Sequence, residues 1–75
     1  MEIVISEEDV RLLLKGEICE VARNTKSTEL IKILSKEENL YVRICVAINE
    51  NTPEEIKKEL ANDEQKLVRQ AVAQE

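Results

Sequence analysis

The sequence predicts an all-α fold, a short α-solenoid of three helix pairs. Three observations lead there. The first is composition. Hydrophobic residues make up 43% of the 75, yet Tyr41 is the only aromatic, and Gly16 and Pro53 are the only residues of their kinds. Few turn formers and many Glu, Lys and Leu suit helices with short connections, not a sandwich or barrel. The second is a repeat. Val42-Arg43 and Val46-Ala47 return further along the chain as Val68-Arg69 and Val72-Ala73, and Val21-Ala22-x-Asn24 anticipates Val46-Ala47-x-Asn49 at almost the same spacing. Periods in this range mark stacked helical units, each burying a face that it cannot bury alone. The third is the stretch from Leu40 to Ile48, which is apolar except at Arg43. A helix hydrophobic nearly all round is a buried one, so this one belongs at the centre.

The elements follow in order. Met1 to Ile5 is short and apolar. Ser6 is a natural N-cap, with Glu7, Glu8 and Asp9 in the first turn to complement the helix dipole. Ile5 and Val10 fall at hydrophobic-staple positions. The first helix runs from about 7 to 15, with Val10, Leu13 and Leu14 on one face and Leu12 off it. Gly16 ends it in a left-handed conformation. A short second helix covers about 17–23. Asn24 to Thr28 is a turn in which Ser27 or Thr28 caps a third helix, about 28–36, with Leu30, Ile31, Ile33 and Leu34 inward. After a polar break the central helix covers about 40–48. Thr52-Pro53-Glu54-Glu55 then reads as a helix start, with Thr52 as cap, Pro53 at the first position and Glu55 closing a capping box. The fifth helix extends to about 61 with Ile56 and Leu60 inward, and the sixth covers about 66–74. The elements pair as a longer helix then a shorter one.

The two copies of the repeated helix are not equivalent. Leu40, Ile44 and Ile48 correspond to Lys66, Gln70 and Gln74, whereas Tyr41, Val42, Cys45 and Val46 correspond to apolar Leu67, Val68, Ala71 and Val72. The sixth helix keeps the face that looks back at its neighbour and loses the other, as a terminal unit requires. The expected units are approximately 1–24, 25–49 and 50–75, forming a single domain and a complete array.

The pattern Val42-Arg43-x-x-Val46-Ala47-x-Asn49-x-Asn51-Thr52-Pro53-x-Glu55, continued by Leu60-Ala61-x-Asp63 and by Val68-Arg69-x-x-Val72-Ala73, resembles the leucine-rich repeat variant family, a relative of HEAT-like repeats. The likeness covers 42–75 well, 17–41 loosely, and 1–16 by position only. It implies a right-handed superhelix of alternating α-helices and shorter, partly 3₁₀ helices. One described family member carries an iron–sulfur cluster on a separate cysteine-rich segment. Nothing here matches that segment, so no cofactor carries over.

Charge and motif content narrow the function. The net charge is −5, and the basic residues are scattered among acidic ones. Phosphate neutralisation supplies most nucleic-acid affinity, so direct nucleic-acid binding is disfavoured. There is no His and no CxxC; Cys19 and Cys45 read as small apolar residues of a reducing cytoplasm or as one disulfide. No apolar run reaches the ~18 residues of a membrane span, and no signal peptide is evident. Catalytic triads, phosphate loops and metal clusters are absent, which points away from an enzyme.

Five residues are candidates for interaction. Arg43 and Arg69 either form a ladder for an acidic ligand or pair locally with Glu37, Glu38, Asp63 or Glu64. Tyr41 is either a junction residue or an exposed anchor. Glu55 and Lys58 belong to a mixed charged face. The expected function is a small protein-interaction module that binds an unidentified protein partner through one helical face, without a cofactor, as a monomer or weak homodimer in the cytoplasm. The alternative is an acidic decoy that occupies the basic groove of a nucleic-acid-processing protein. A continuous negative stripe built from Glu29, Glu54, Glu55 and Glu59 favours the decoy. Interleaved charges favour the module.

Overall fold

Helix starts are set by side chains that accept free backbone N–H groups. Ser6 accepts from Asp9 and Ser27 from Leu30, at 3.0 and 3.2 Å; Asn39 accepts from Tyr41 at 2.9 Å. The computed structural model describes residues 5–73, and in them six α-helices and no strand. These are α1 (Glu7–Leu14), α2 (Ile18–Asn24), α3 (Thr28–Leu34), α4 (Leu40–Ile48), α5 (Glu54–Leu60) and α6 (Lys66–Ala73). Met1 to Val4 and Gln74, which figure in the sequence reading, lie outside the described residues.

Gly16 ends α1 with φ of +77°. The N–H of Gly16 bonds the Leu13 carbonyl and the N–H of Glu17 reaches back to that of Leu12, at 3.0 and 2.9 Å, the paired closure that a left-handed residue makes possible. The remaining connections need no such residue. The α3–α4 connection bonds the N–H of Lys36 to Ile33 and that of Glu37 to Leu34, and α5–α6 does the same with Asn62 to Glu59 and Asp63 to Leu60. The two connections share one hydrogen-bond scheme, one repeat apart.

α4 packs against α2 on one side and α6 on the other. α1 lies on α2, α3 touches α2 and α4, and α5 touches α4 and α6. The even-numbered helices therefore form a row, and the odd-numbered ones flank it. The row is built from small residues: Val21, Ala22, Val42, Val46, Ala47, Val68 and Ala71 are all buried. Small side chains at a contact let helix axes approach closely. The flanking helices complete the core with Leu30, Ile31, Leu34, Ile56 and Leu60.

Several expectations are corrected. α4 is central, but it is not buried all round: Tyr41 is 61% and Ile48 40% exposed. A row leaves its middle helix one face in solvent, whatever the composition of that face. The sequence pattern turns Val10, Leu13 and Leu14 of α1 inward; the structure turns Asp9, Leu12 and Leu13 inward and leaves Leu14 84% exposed. The cause is polar. Thr25 donates to the buried Asp9 carboxylate at 2.6 Å, which fixes the rotation of α1. Ile33 of α3 is likewise exposed. The Thr52–Glu55 capping box does not form. Pro53 is the N-cap of α5, without a side-chain bond, and the buried Thr52 hydroxyl donates to the Val46 carbonyl at the end of α4 instead, at 2.6 Å. All six helices are α, none 3₁₀, among the described residues. The long–short order holds for α1 and α2 but is reversed in the other two pairs, where α4 and α6 are longer than α3 and α5.

Candidate functional site

Three features outside the apolar core are candidates: a buried polar spine, an arginine edge and an open groove.

The spine joins the α2–α3 and α4–α5 connections. Asn49, 1% exposed, donates through Nδ2 to the carbonyls of Ala22 and Thr25, both at 2.9 Å. Its Oδ1 accepts from the N–H of Asn51 at 2.8 Å. Thr25, also 1% exposed, accepts from the N–H of Ser27 at 3.1 Å while its own hydroxyl donates to Asp9. Thr25 and Asn49 thus do the same work: each follows its helix and accepts the N–H two residues on. The sequence comparison instead matched Asn49 with Asn24, which sits at the exposed end of α2 and turns back to Glu20. The signal that finds the correct pair is local: Thr25-Lys26-Ser27 and Asn49-Glu50-Asn51 are both side-chain-stabilised turns. Among the described residues every buried side-chain nitrogen and oxygen has a partner. The spine is therefore saturated and offers nothing to a ligand.

The edge is formed by the α3–α4 and α5–α6 connections. Arg43 donates from Nη1 to the carbonyls of Glu37 and Glu38, and Arg69 donates in the same way to those of Asp63 and Glu64. Each arginine clasps the connection that leads into its own helix. Arg43 also grips Asp63 with two parallel bonds, Nε–Oδ2 at 2.8 Å and Nη2–Oδ1 at 3.2 Å. Both side chains of that pair are largely buried, at 14% and 11% exposure. Burial alone would raise the Asp63 carboxyl. The Arg43 bond, the N–H of Gln65 and the charges of Arg43 and Arg69 outweigh it and hold the group below its ordinary value. Of the two readings of Arg43, local pairing occupies its guanidinium here; Arg69 remains more exposed.

The groove runs between α3 and α5, whose shared neighbour α4 holds them apart. It encloses about 650 Å³. Its floor includes Ile33 and Ile56, Lys32 and Lys36 stand on the α3 side, and Glu55 and Glu59 stand on the α5 side. Glu29 lies at the same wall as Lys32, tied to the Ser27 and Thr28 hydroxyls. Of the five interaction candidates, only Glu55 lines this groove. Arg43 lines a separate hollow with Asp63. Tyr41 is exposed at the start of α4, Lys58 is exposed on α5, and neither lines the groove. The five are not gathered on one surface.

Cys19 and Cys45 are free, half-buried thiols on adjacent α2 and α4. Burial and the neighbouring Cys19 push the Cys45 thiol above its ordinary value, which disfavours the nucleophilic thiolate. Among the described residues no group of three or more His, Cys, Asp or Glu side chains is placed to hold a metal ion. No helix there is long and apolar enough to cross a membrane.

The chain matches no family model, and no curated protein or solved structure is significantly similar to it.

Proposed function

We propose that the protein is a small interaction module, a short right-handed α-solenoid of three helix pairs in the manner of leucine-rich repeat variant and HEAT-like repeats, acting without catalysis on a protein partner in the cytoplasm. The solenoid reading is supported by the row of α2, α4 and α6 and by the arginine clasp that recurs from one unit to the next. The observation that carries the functional reading is the distribution of charge. Glu29, Glu54, Glu55 and Glu59 do not form an unbroken negative stripe: Glu54 does not line the groove that the other three share, and Lys32 and Lys36 stand there with them. Interleaved charge suits recognition of a mixed protein surface, whereas a decoy for a basic nucleic-acid groove needs a field of one sign. The saturated spine and the occupied Arg43 leave the outer helix faces as the surfaces open to a partner.

Affinity capture from the source organism followed by mass spectrometry tests this. The expected result is a discrete protein retained by the wild type and lost with Lys32→Glu, Lys36→Glu, Glu55→Lys and Glu59→Lys combined. Retention of a nucleic-acid-processing enzyme that DNA or RNA competes away supports the decoy instead. Turnover of a small molecule by the purified chain overturns both.

A further inference from the structure

We infer that the groove between α3 and α5 is a seat for an amphipathic α-helix of a partner protein, one with carboxylates along one edge, basic groups along the other and an apolar stripe between. The inference rests on the interaction-module reading and specifies its partner. Lys32 and Lys36 are four residues apart on the α3 side, and Glu55 and Glu59 are four apart on the α5 side. Glu55 and Glu59 rise about 6 Å along α5 and share one face, while Lys36 stands in the turn just past the end of α3 and lines the same wall as Lys32. The groove therefore presents two rails, a mainly basic edge, Lys32 and Lys36 beside Glu29, and an acidic edge, Glu55 and Glu59, with an apolar floor between. Four-residue spacing is also the repeat of a helical ligand, so bases at i and i+4 of one edge meet both glutamates while acids on its other edge meet the lysines. A neutral or single-sign segment satisfies only one rail.

The rails are not neutralised within the fold. Among the described residues the ion pairs are Arg11–Glu8, Arg23–Glu20 and Arg43–Asp63, and none of the four rail residues takes part. The floor is apolar and partly open. Ile33 is 47% exposed although it belongs to a helix whose other large apolar residues are buried, while Ile56 beside it is 7% exposed. An apolar side chain laid over Ile33 removes surface from water that the fold itself leaves wet. With seven residues each, α3 and α5 are about 10 Å long, so roughly two turns of ligand fit, enough for an i, i+4, i+7 anchor set.

Selection from a random 16-residue peptide library displayed on phage tests the inference, with the immobilised full chain as bait. The expected result is a consensus with an apolar i, i+4, i+7 stripe, acids on one edge and bases on the other. Synthetic consensus peptide, followed by fluorescence anisotropy at low salt, is expected to bind at least about tenfold more weakly to the Lys32→Glu, Lys36→Glu variant. A peptide with its acidic edge changed to lysine is expected to recover that loss. All four rail residues are exposed, and circular dichroism checks that the variant remains folded. Peptides that enrich but bind elsewhere, for example over exposed Tyr41 and Leu67, overturn this inference and leave the interaction-module reading standing. Absence of any enriched peptide counts against both.

Discussion

Replacing Asn49 by alanine tests whether the polar spine holds the helices in place. The side chain is 1% exposed and bonds two carbonyls of the preceding connection at 2.9 Å each. It also accepts from Asn51 at 2.8 Å. Each bond contributes about 1 kcal/mol net, and a buried group left unpaired costs about 1–3 kcal/mol. Deleting the amide loses three bonds and leaves polar groups facing a small void, so the expected loss is about 3–4 kcal/mol. A chain of 75 residues has roughly 4–11 kcal/mol in total, so Asn49→Ala lies near the limit of folding. Urea denaturation followed by circular dichroism measures the loss, and the thermal midpoint is expected to fall by about 15–25 °C. Asn51→Ala is the control. Its side chain makes one bond, to the Thr25 carbonyl at 3.4 Å, and its removal is expected to cost under about 0.5 kcal/mol. An Asn49→Ala loss below about 1 kcal/mol, or one equal to that of Asn51→Ala, refutes the reasoning.

Three further outcomes are expected. Arg43→Ala should cost about 2–3 kcal/mol because it strands the largely buried Asp63, whereas Arg69→Ala should cost under about 1 kcal/mol; paired urea titrations compare them. Because Asp63 is held below its ordinary value in the fold, its contribution is present above the unfolded carboxyl pKa of about 3.9 and is lost as pH falls through the lower folded value. Denaturation midpoints between pH 7 and pH 2 should therefore fall less steeply in Asp63→Asn than in the wild type. Gly16→Ala should cost about 1 kcal/mol through backbone strain alone, since φ is +77° and no atom lies within 4 Å of the added carbon; a neutral result in thermal melts removes the left-handed requirement.

The number and order of the helices were legible because caps, breakers and apolar spacing are local. Ser6, Gly16 and Ser27 each act on their immediate neighbours in the chain, and the structure uses all three at helix ends. The Val-Arg repeat points to a recurring environment, and Arg43 and Arg69 do make the same contacts to their connections, with Asp63 as Arg43's acidic partner. What was not legible depends on contacts distant in sequence. Nothing near Asp9 reveals that Thr25 will hold its carboxylate, so the rotation of α1 followed the more apolar choice. The neighbours of Thr52 point it to α5, but the carbonyl of Val46 claims it. The groove is least visible of all. Its rails lie on separate helices, and their pairing follows only once α4 has set α3 and α5 apart.

The helix contacts also set how the molecule should come apart. Each substantial contact joins helices that are neighbours or next neighbours in the chain. Little loop-closure entropy precedes each contact, which favours fast folding. α1 packs mainly on α2, and α6, at one end of the row, packs on α4 and α5, whereas α4 is held by α2, α3, α5 and α6. Openings should therefore begin at either end and reach α4 last. Amide exchange is then graded along the chain, with the slowest protons in α4 tracking global unfolding and those of α1 and α6 exchanging through partial fraying.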